Sequence, residues 1–319
     1  MLVTGASTGI GRAVAGLLAR HGFAVFAGVR RQEAAERLAQ DGREACSAGS
    51  GSPGSGSITP LLFDITDADA IARAAATLEE RTGDAGLHAV VNNAGVVVAG
   101  PMEFLPIDDL RHQLEVNVVG QIAVTQAVLP LLRRARERQL ANGGERKGRA
   151  AGAAPEPEAR SPVRGTHGRV VFVGSISGLV SSRLLGAYAA SKFAIEALGD
   201  AFRLELAPWG LQVAIVEPGR VRTPIWGKTV GAGEARLSRM PDEVTRLYDA
   251  TIKTVSEGVT DVDSAGIAPE GVARAVLHAV TAPRARTRYR VGFDARVVAV
   301  LTRLLPDRWM DRFLLMVRR

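Results

Sequence analysis

Tyr188 and Lys192 lie four residues apart in the stretch Tyr188–Ala189–Ala190–Ser191–Lys192, within a helical pattern from Ala187 to Leu206. Residues at that spacing share one face of a helix. A free tyrosine, with a pKa near 10, exchanges protons poorly at neutral pH, and a nearby ammonium favours the phenolate. The pair therefore suits general acid/base chemistry near pH 7. The same spacing also fits a core tyrosine beside a solvated lysine. The other motifs of the chain are needed to choose between these two interpretations.

A glycine-rich turn opens the chain. The short strand Leu2–Val3–Thr4 runs into Gly5-Ala-Ser-Thr-Gly9-Ile-Gly11, and a helical pattern follows over Arg12–His21. Glycines there permit a tight turn and let backbone N–H groups approach a pyrophosphate at the helix N-terminus. The strand has at most three residues, whereas strands usually have five or six. This predicts either a start further upstream or a weakened sheet.

Strand and helix patterns alternate through the rest of the chain, which predicts an α/β fold: a single-domain, doubly wound parallel sheet of the Rossmann type with helices on both faces. Ligands of such sheets bind beyond the carboxyl ends of the strands. The predicted strands are Ala24–Gly28, Pro60–Phe63, Ala89–Val91, Arg169–Val173, Gln212–Val216 and Arg288–Val291. The predicted helices are Gln32–Gln40, Asp67–Arg81, Ile107–Arg138, Ala187–Leu206 and Pro269–Ala279.

Four further segments are predicted from composition. Residues 47–57 and 140–167 are low-complexity loops without apolar periodicity, expected to be flexible. Residues 223–268 are mixed and irregular and resemble a lid. Residues 293–319 form a basic, amphipathic tail following a domain that ends at residue 292.

The formal net charge of +7 is confined to two parts of the chain. Residues 133–169 carry ten basic and four acidic side chains, and residues 284–319 carry ten and three, so the remainder is net acidic. With no nucleic-acid-binding motif present, nucleic acid is not an expected partner. The single cysteine, Cys46, the lack of an uninterrupted apolar run of membrane-spanning length, and the absence of a signal peptide predict a cytoplasmic protein.

Together the motifs resemble those of the short-chain dehydrogenase/reductase family, from Leu2 to about Gly292 outside the two low-complexity loops. Ser175 precedes Tyr188 by thirteen residues, the separation typical of that family. The matching elements are Thr4-Gly5-x-x-x-Gly9-x-Gly11, Asp64–Ile65, Asn92-Asn93-Ala94-Gly95, Asn117, Ser175, Tyr188-x-x-x-Lys192 and Pro218–Gly219.

The resemblance implies a catalytic set of Asn117, Ser175, Tyr188 and Lys192. Tyr188 would exchange a proton with the substrate oxygen and Ser175 would hydrogen-bond that oxygen. Lys192 would lower the pKa of Tyr188 and bind the nicotinamide ribose, and Asn117 would hold a relay water. No metal is implied. The implied cofactor-binding residues are Gly5, Ser7, Thr8, Gly9, Ile10, Gly11, Arg30, Asp64, Ile65, Asn93, Ala94, Gly95, Tyr188, Lys192, Pro218, Gly219, Val221 and Thr223.

Cofactor choice is predicted from the end of the second strand, which meets the adenosine ribose in dinucleotide-binding folds. Val29 stands at the position that is acidic in NAD-specific relatives, and Arg30 follows it. A guanidinium pairs well with a 2′-phosphate. NADP is therefore preferred, with NAD as the alternative, although Arg30 and Arg31 also suit the start of a solvated helix.

The resemblance extends to the branch acting on steroids, retinoids and other lipophilic alcohols or ketones, with Ser175, Tyr188 and Trp226 touching the substrate. The expected protein is a homodimer or homotetramer. An alternative is a non-catalytic, cofactor-binding regulatory or scaffold protein on the same fold. For the tail, packing on the body or a partner subunit is favoured over contact with an anionic membrane surface.

Overall fold

Seven short runs, mostly apolar, form the strands of a parallel sheet in the computed structural model, which describes residues 1–48, 56–148, 167–238 and 240–316. The strands are β1 (Leu2–Val3), β2 (Ala24–Val29), β3 (Ser57–Leu62), β4 (Ala89–Asn92), β5 (Arg169–Val173), β6 (Gln212–Pro218) and β7 (Arg288–Val291). They pair in the order β3-β2-β1-β4-β5-β6-β7, and every pair is parallel. The prediction of a seven-stranded, doubly wound sheet is confirmed.

The helices connect the strands and cover both faces of the sheet. They are α1 (Gly9–Arg20), α2 (Gln32–Ala48), α3 (Ala68–Thr82), α4 (Ile107–Leu114), α5 (Gly120–Gly148), α6 (Gly186–Glu205), α7 (Ile225–Leu237), α8 (Asp242–Ala265), α9 (Pro269–Thr281), α10 (Phe293–Leu304) and α11 (Asp307–Met316). On one face α1, α2 and α9 bury Val14, Leu38 and Val276. On the other, α3, α5 and α6 bury Leu78, Leu132 and Ile195.

The strand order reverses beside β1, and this reversal places the functional loops together. Val3 pairs with Ala27 of β2 on one side and with Val91 of β4 on the other. The loops that leave β1 and β4 therefore run to opposite sides and open a crevice between them, as expected at the switch point of such sheets. Although β1 has only two residues, both side chains are almost fully buried.

The prediction that residues 223–268 are irregular is wrong, since α7 and α8 occupy most of that range. Gly227, Gly231 and Gly233 lower the helix propensity of α7 and obscure its pattern. In α8 many β-branched residues do the same, yet Val244 is buried. Packing stabilises both helices despite their composition.

The two low-complexity segments begin later or end earlier than predicted. Helix α2 continues to Ala48 and β3 already begins at Ser57. Helix α5 continues to Gly148, so the first residues of the predicted 140–167 loop are helical. Residues 49–55 and 149–166, on which the rest of these predictions falls, lie outside the described residues.

A π-helical turn, Glu115–Val119, joins α4 to α5. By length and composition alone, Ile107–Asn142 would be long and apolar enough to cross a membrane. In this fold the segment contributes Val124, Val128 and Leu132 to the hydrophobic core. That packing accounts for part of its apolar character.

The C-terminal tail consists of α10 and α11. Ala295, Val298 and Ala299 of α10 are buried, so the first of these helices packs on the body of the protein. The tail also exposes large apolar side chains. These are Phe293, Val300, Leu304, Trp309, Leu315 and Met316.

Candidate active site

One cleft of about 430 Å³ lies along the carboxyl ends of the strands. Residues from the loops after β1, β2, β3, β4, β5 and β6 line it, together with side chains of α4, α6 and α7. Such a location is where doubly wound sheets bind nucleotides. We name three parts of the cleft by the roles expected of them: the phosphate-binding end at the glycine turn, the adenosine end at β2 and β3, and the reaction end at α6.

The glycine turn forms a cradle that leaves no room for side chains. Gly5 and Gly9 have φ angles of +64° and +56°, in the left-handed region that favours glycine. A Cβ atom on Gly5 would lie 2.6 Å from Ala94 Cα, and one on Gly11 only 2.3 Å from Gly5 O. Helix α1 starts here with no side-chain cap at Thr8 and no acidic residue in its first turn. Free N–H groups and a positive helix end without a competing carboxylate fit the pyrophosphate of a dinucleotide.

Hydrogen bonds join the loop after β1 to the loop after β4. Thr4 Oγ1 accepts from the backbone N–H groups of Asn93 and Ala94, both at 3.0 Å. Asn93 Nδ2 donates to the carbonyl oxygens of Thr4 (3.0 Å) and Gly5 (3.1 Å). Asn93 therefore holds the glycine turn in place, and the rigidity of the cradle follows from these bonds.

At the adenosine end, Arg30 is exposed and lies near Asp64, with 3.7 Å between Nη1 and Oδ2. Burial alone would raise the pKa of Asp64, but hydrogen bonds from Thr66 and the charge of Arg30 outweigh it, and the pKa lies below its usual value. Val29 lines the cleft with its side chain packed in the core at 2% exposure. This end therefore offers a long, exposed arginine as donor beside one carboxylate as acceptor, which fits a ribose bearing an anionic substituent.

At the reaction end, Ser175 and Tyr188 both line the cleft. Ser175 follows β5, and its Oγ accepts from Ser177 N at 3.1 Å, which fixes the turn. Tyr188 lies in the first turn of α6 and is half-buried. Burial raises the pKa of Tyr188, and its hydrogen bond with the Ser175 hydroxyl lowers it. The two hydroxyls can therefore share one substrate oxygen.

Lys192 is 5% exposed and lies one turn after Tyr188, with Nζ 5.7 Å from the Tyr188 ring centroid. Its Nζ donates to Val173 O at 2.8 Å. Burial lowers the pKa of Lys192 to about 8, and the charge of Glu196 opposes that change. The expected lowering of the Tyr188 pKa by Lys192 is not the net outcome here, because burial of the phenol has the larger effect and raises that pKa.

Asn117 lies in the π-helical turn and is fully buried. Its Oδ1 accepts from Val96 N (2.8 Å), and its Nδ2 donates to Val96 O (3.0 Å) and to Ser191 Oγ (3.1 Å). Ser191 in turn donates to Tyr188 O at 2.6 Å. Asn117 thus connects the loop after β4 to the helix that carries Tyr188. Protein groups use both N–H groups of the Asn117 amide and one lone pair of its Oδ1, and the relay water stays a prediction.

The wall beyond Tyr188 is largely apolar. Val96, Val97, Val98, Val116, Ile225 and Trp226 line it. Arg236 of α7 also lines this end and is held by Asp109 of α4 and by Ala99 O. These contacts tie the helix that covers the cleft to the loop after β4.

Every predicted site residue except Gly11 lines this cleft. Gly11 lies behind the turn, where its lack of a side chain lets α1 approach Gly5. Three roles were not predicted from the sequence. Thr4 accepts the hydrogen bonds that join the two loops, and Ser191 links α6 to Asn117. The Gln113 amide hydrogen-bonds to the backbone of Val96 and Val98. Ser191 lies inside the Tyr188–Lys192 motif, which was the one available clue.

Comparisons with known proteins find relatives along nearly the whole chain. The family model described as short chain dehydrogenase matches residues 1–142 and 159–232. An NADPH-dependent 3-dehydrocapnine reductase of Ornithobacterium rhinotracheale is 30% identical, over 98% of this chain and 94% of its own length. Retinol dehydrogenase 5 of Mus musculus is 33% identical, over 98% of this chain and 87% of its own.

A solved structure, a short-chain dehydrogenase from Streptomyces avermitilis, has the same fold. Its TM-score is 0.65 at 26% identity, with 95% of this chain and 94% of that chain covered. The family match spans more than half of the sequence and includes the glycine turn, the asparagine loop and the Tyr188 helix. The chain belongs to the short-chain dehydrogenase family of oxidoreductases.

Proposed function

We propose that the protein is an NADP(H)-dependent oxidoreductase that interconverts a secondary alcohol and a ketone, or an alcohol and an aldehyde, on a lipophilic substrate. The observation that carries this proposal is that Ser175, Tyr188 and Lys192 line the same cleft as the uncapped N-terminus of α1. One cleft thus combines a proton-exchanging pair with a cradle for a dinucleotide.

When bound, the nicotinamide ring supplies or accepts the hydride, and the protein supplies position and proton transfer. Tyr188 gives its phenolic proton to the carbonyl oxygen during reduction, or takes the hydroxyl proton during oxidation. Ser175 donates a hydrogen bond to the same oxygen and holds it in line. The ammonium of Lys192 stabilises the phenolate that reduction leaves on Tyr188.

NADP is the cofactor favoured by the side chains at the adenosine end. Arg30 is exposed beside Asp64, and no carboxylate stands at Val29 to repel a 2′-phosphate. The relative from Ornithobacterium is named as NADPH-dependent. Both observations support a preference for NADP over NAD.

A lipophilic substrate is favoured by the valine-rich wall and by Trp226. Such surfaces bind apolar groups, while the few polar atoms fix orientation. The mouse relative is named for retinol, a lipophilic alcohol. We also propose a cytoplasmic location, supported by the single cysteine and by the core packing of Ile107–Asn142. Cell fractionation tests that location.

A turnover screen tests the proposed function. NADPH absorbance is followed with ketosteroids, retinoids, aliphatic ketones and sugars, and the Tyr188→Phe variant is run in parallel. We expect consumption with at least one lipophilic carbonyl compound in the wild type only. Tight NADPH binding without turnover of any compound would instead favour the regulatory or scaffold role.

A further inference from the structure

A partly buried cluster of opposite charges lies behind the reaction end of the cleft. We name it the carboxylate–arginine cluster, and its members are Glu196, Asp200, Arg203, Glu217, Arg288 and Arg290. It joins α6 to β6 and β7. Within the described residues Glu217 is fully buried and Glu196 is 8% exposed, an unusual setting for carboxylates.

Arg288 is the centre of the cluster. Its Nε donates to Glu196 Oε2 at 2.9 Å and lies 3.2 Å from Glu217 Oε1. Its two Nη atoms donate to Asp200 at 3.2 and 2.8 Å. Arg290 Nε donates to the other oxygen of Glu217 at 3.1 Å. One guanidinium therefore holds two carboxylates that lie one turn apart on the catalytic helix.

Glu196 is the member that reaches the catalytic residues. It lies one helical turn after Lys192, on the same face of α6. A Cβ atom on Gly174 would lie 3.2 Å from Glu196 Oε1, and one on Gly178 3.0 Å from Glu196 Cγ. These two glycines flank Ser175, so Glu196 lies directly beneath the turn that presents the serine. Its Oε1 is buried and has no hydrogen-bond partner among the described residues.

We propose that Glu196 is a positioning residue whose negative charge keeps Lys192 protonated and so sets the pH above which catalysis is lost. The charged groups around Glu196 are Lys192 and Asp200 on its own helix, Glu217 on β6, and Arg288 and Arg290 on β7. Arg288 holds the Glu196 side chain in place and compensates part of its charge. The relevance to catalysis rests on the role proposed for Lys192, but the electrostatic coupling itself does not.

The direction of the pKa changes agrees with this geometry. Burial and the neighbouring charge of Glu217 raise the pKa of Glu196 to about 7, while burial lowers that of Lys192 to about 8. The two groups therefore titrate close together, and the charge of Glu196 raises the pKa of Lys192. Coupled groups of this kind show more than one inflection in a titration.

The coupling is measured by NMR on the protein without added cofactor. The chain has only four lysines, Lys147, Lys192, Lys228 and Lys253, so ¹³C-lysine labelling gives a simple spectrum. The Lys192 signal is assigned by its loss in Lys192→Arg. In the wild type we expect a small inflection near pH 7 as Glu196 ionises and a main one near pH 8. A Lys192 signal without the inflection near 7 overturns the proposal, even if no Glu196 variant folds.

Variants separate charge from packing. Glu196→Gln should remove the small inflection and move the main one to lower pH by roughly one unit. Glu196→Asp keeps the charge and should stay close to the wild type. Asp200→Asn also loses a partner of Arg288 and should lower the melting temperature, but it should leave the main Lys192 inflection nearly unchanged. Glu205→Gln, exposed near the end of α6, is the matched control.

If turnover is found, the alkaline limb of kcat/KM should follow the Lys192 midpoint in each variant. A Lys192 midpoint that is the same in Glu196→Gln as in the wild type overturns the proposal. A shifted midpoint in a protein that turns over no substrate would instead contradict the proposed function and leave the coupling established. The two failures are thus distinguishable.

Discussion

Replacing Arg30 by alanine should convert the enzyme from a preference for NADPH to near indifference. Arg30 is 60% exposed at its side chain, and its 3.7 Å ion pair with Asp64 is of the surface kind worth at most about 1 kcal/mol. A 2′-phosphate would therefore meet a guanidinium with little competition. Loss of one charge-assisted hydrogen bond costs roughly 1.5–3 kcal/mol, which corresponds to a decrease of about 10- to 150-fold in kcat/KM for NADPH.

The same variant should change kcat/KM for NADH by less than about five-fold, because only the weak ion pair with Asp64 is lost. The assay is steady-state reduction of one carbonyl substrate with both cofactors, and the readout is the ratio of the two kcat/KM values. Arg20→Ala, an exposed arginine at the far end of α1, is the matched control. Equal decreases for the two cofactors, or a wild type that already prefers NADH, would refute the assignment of Arg30.

A double variant, Val29→Asp with Arg30→Ala, should move the preference on to NADH, since a carboxylate there accepts from the ribose 2′-OH. Val29 is 2% exposed and packs in the core, so the new carboxylate should also lower stability. Melting curves are therefore needed beside the kinetics, and the ratio of kcat/KM values remains meaningful for the folded fraction.

Tyr188→Phe should lower kcat by roughly 10²- to 10⁴-fold while NADPH still binds, because the ring stays and only the transferable proton is lost; fluorescence titration and turnover check this. Tyr289→Phe, a second tyrosine with a hydrogen-bonded hydroxyl, should lower the melting temperature but keep turnover. In His88→Gln the free energy of unfolding should decrease less as the pH falls. Burial lowers the pKa of His88 to about 3 from its usual 6.5, so the unfolded chain binds the extra proton and stability falls as pH drops below about 6.5, by roughly 2 kcal/mol at pH 5. Melting at several pH values, with exposed His21→Gln as control, measures this. Truncation after Leu305, which removes α11 with Trp309 and its neighbouring arginines, should change oligomer size or binding to anionic vesicles before it changes kcat; unchanged light scattering and vesicle sedimentation would exclude both roles.

The residues that could be predicted from the sequence are those whose roles depend on local backbone shape. Gly5 and Gly9 need positive φ angles, and Ser175 and Asn93 follow strands directly, so their place at the sheet edge follows from chain order alone. The alternation of strands and helices likewise predicts the doubly wound sheet. For these features a short stretch of sequence contains the physical cause.

The features that were missed depend on partners far away in the chain. Ser191 looks like one more small residue of a helix until Asn117, 74 positions earlier, is seen to donate to it. Gln113 resembles an ordinary polar helix residue, yet its side chain accepts a hydrogen bond from Val98 N and donates one to Val96 O. Helix α7 was missed because its glycines weaken a local pattern, while Arg236 is held by Asp109, 127 positions away. No local rule predicts such contacts.

For the same reason, the spacing in the sequence predicts where Lys192 lies but does not predict its pKa. Spacing places the ammonium beside Tyr188, and from that alone one expects an ordinary lysine that lowers the pKa of the phenol. The structure shows instead that burial opposes the charge on both groups: the pKa of Tyr188 is raised and that of Lys192 is lowered. What opposes burial at Lys192 is Glu196, which is held in place from β7 by Arg288, 92 positions along the chain. The proposed acid/base pair of α6 therefore depends on the last strand of the sheet, and a variant at Arg288 should alter the pH dependence of turnover without contacting the substrate.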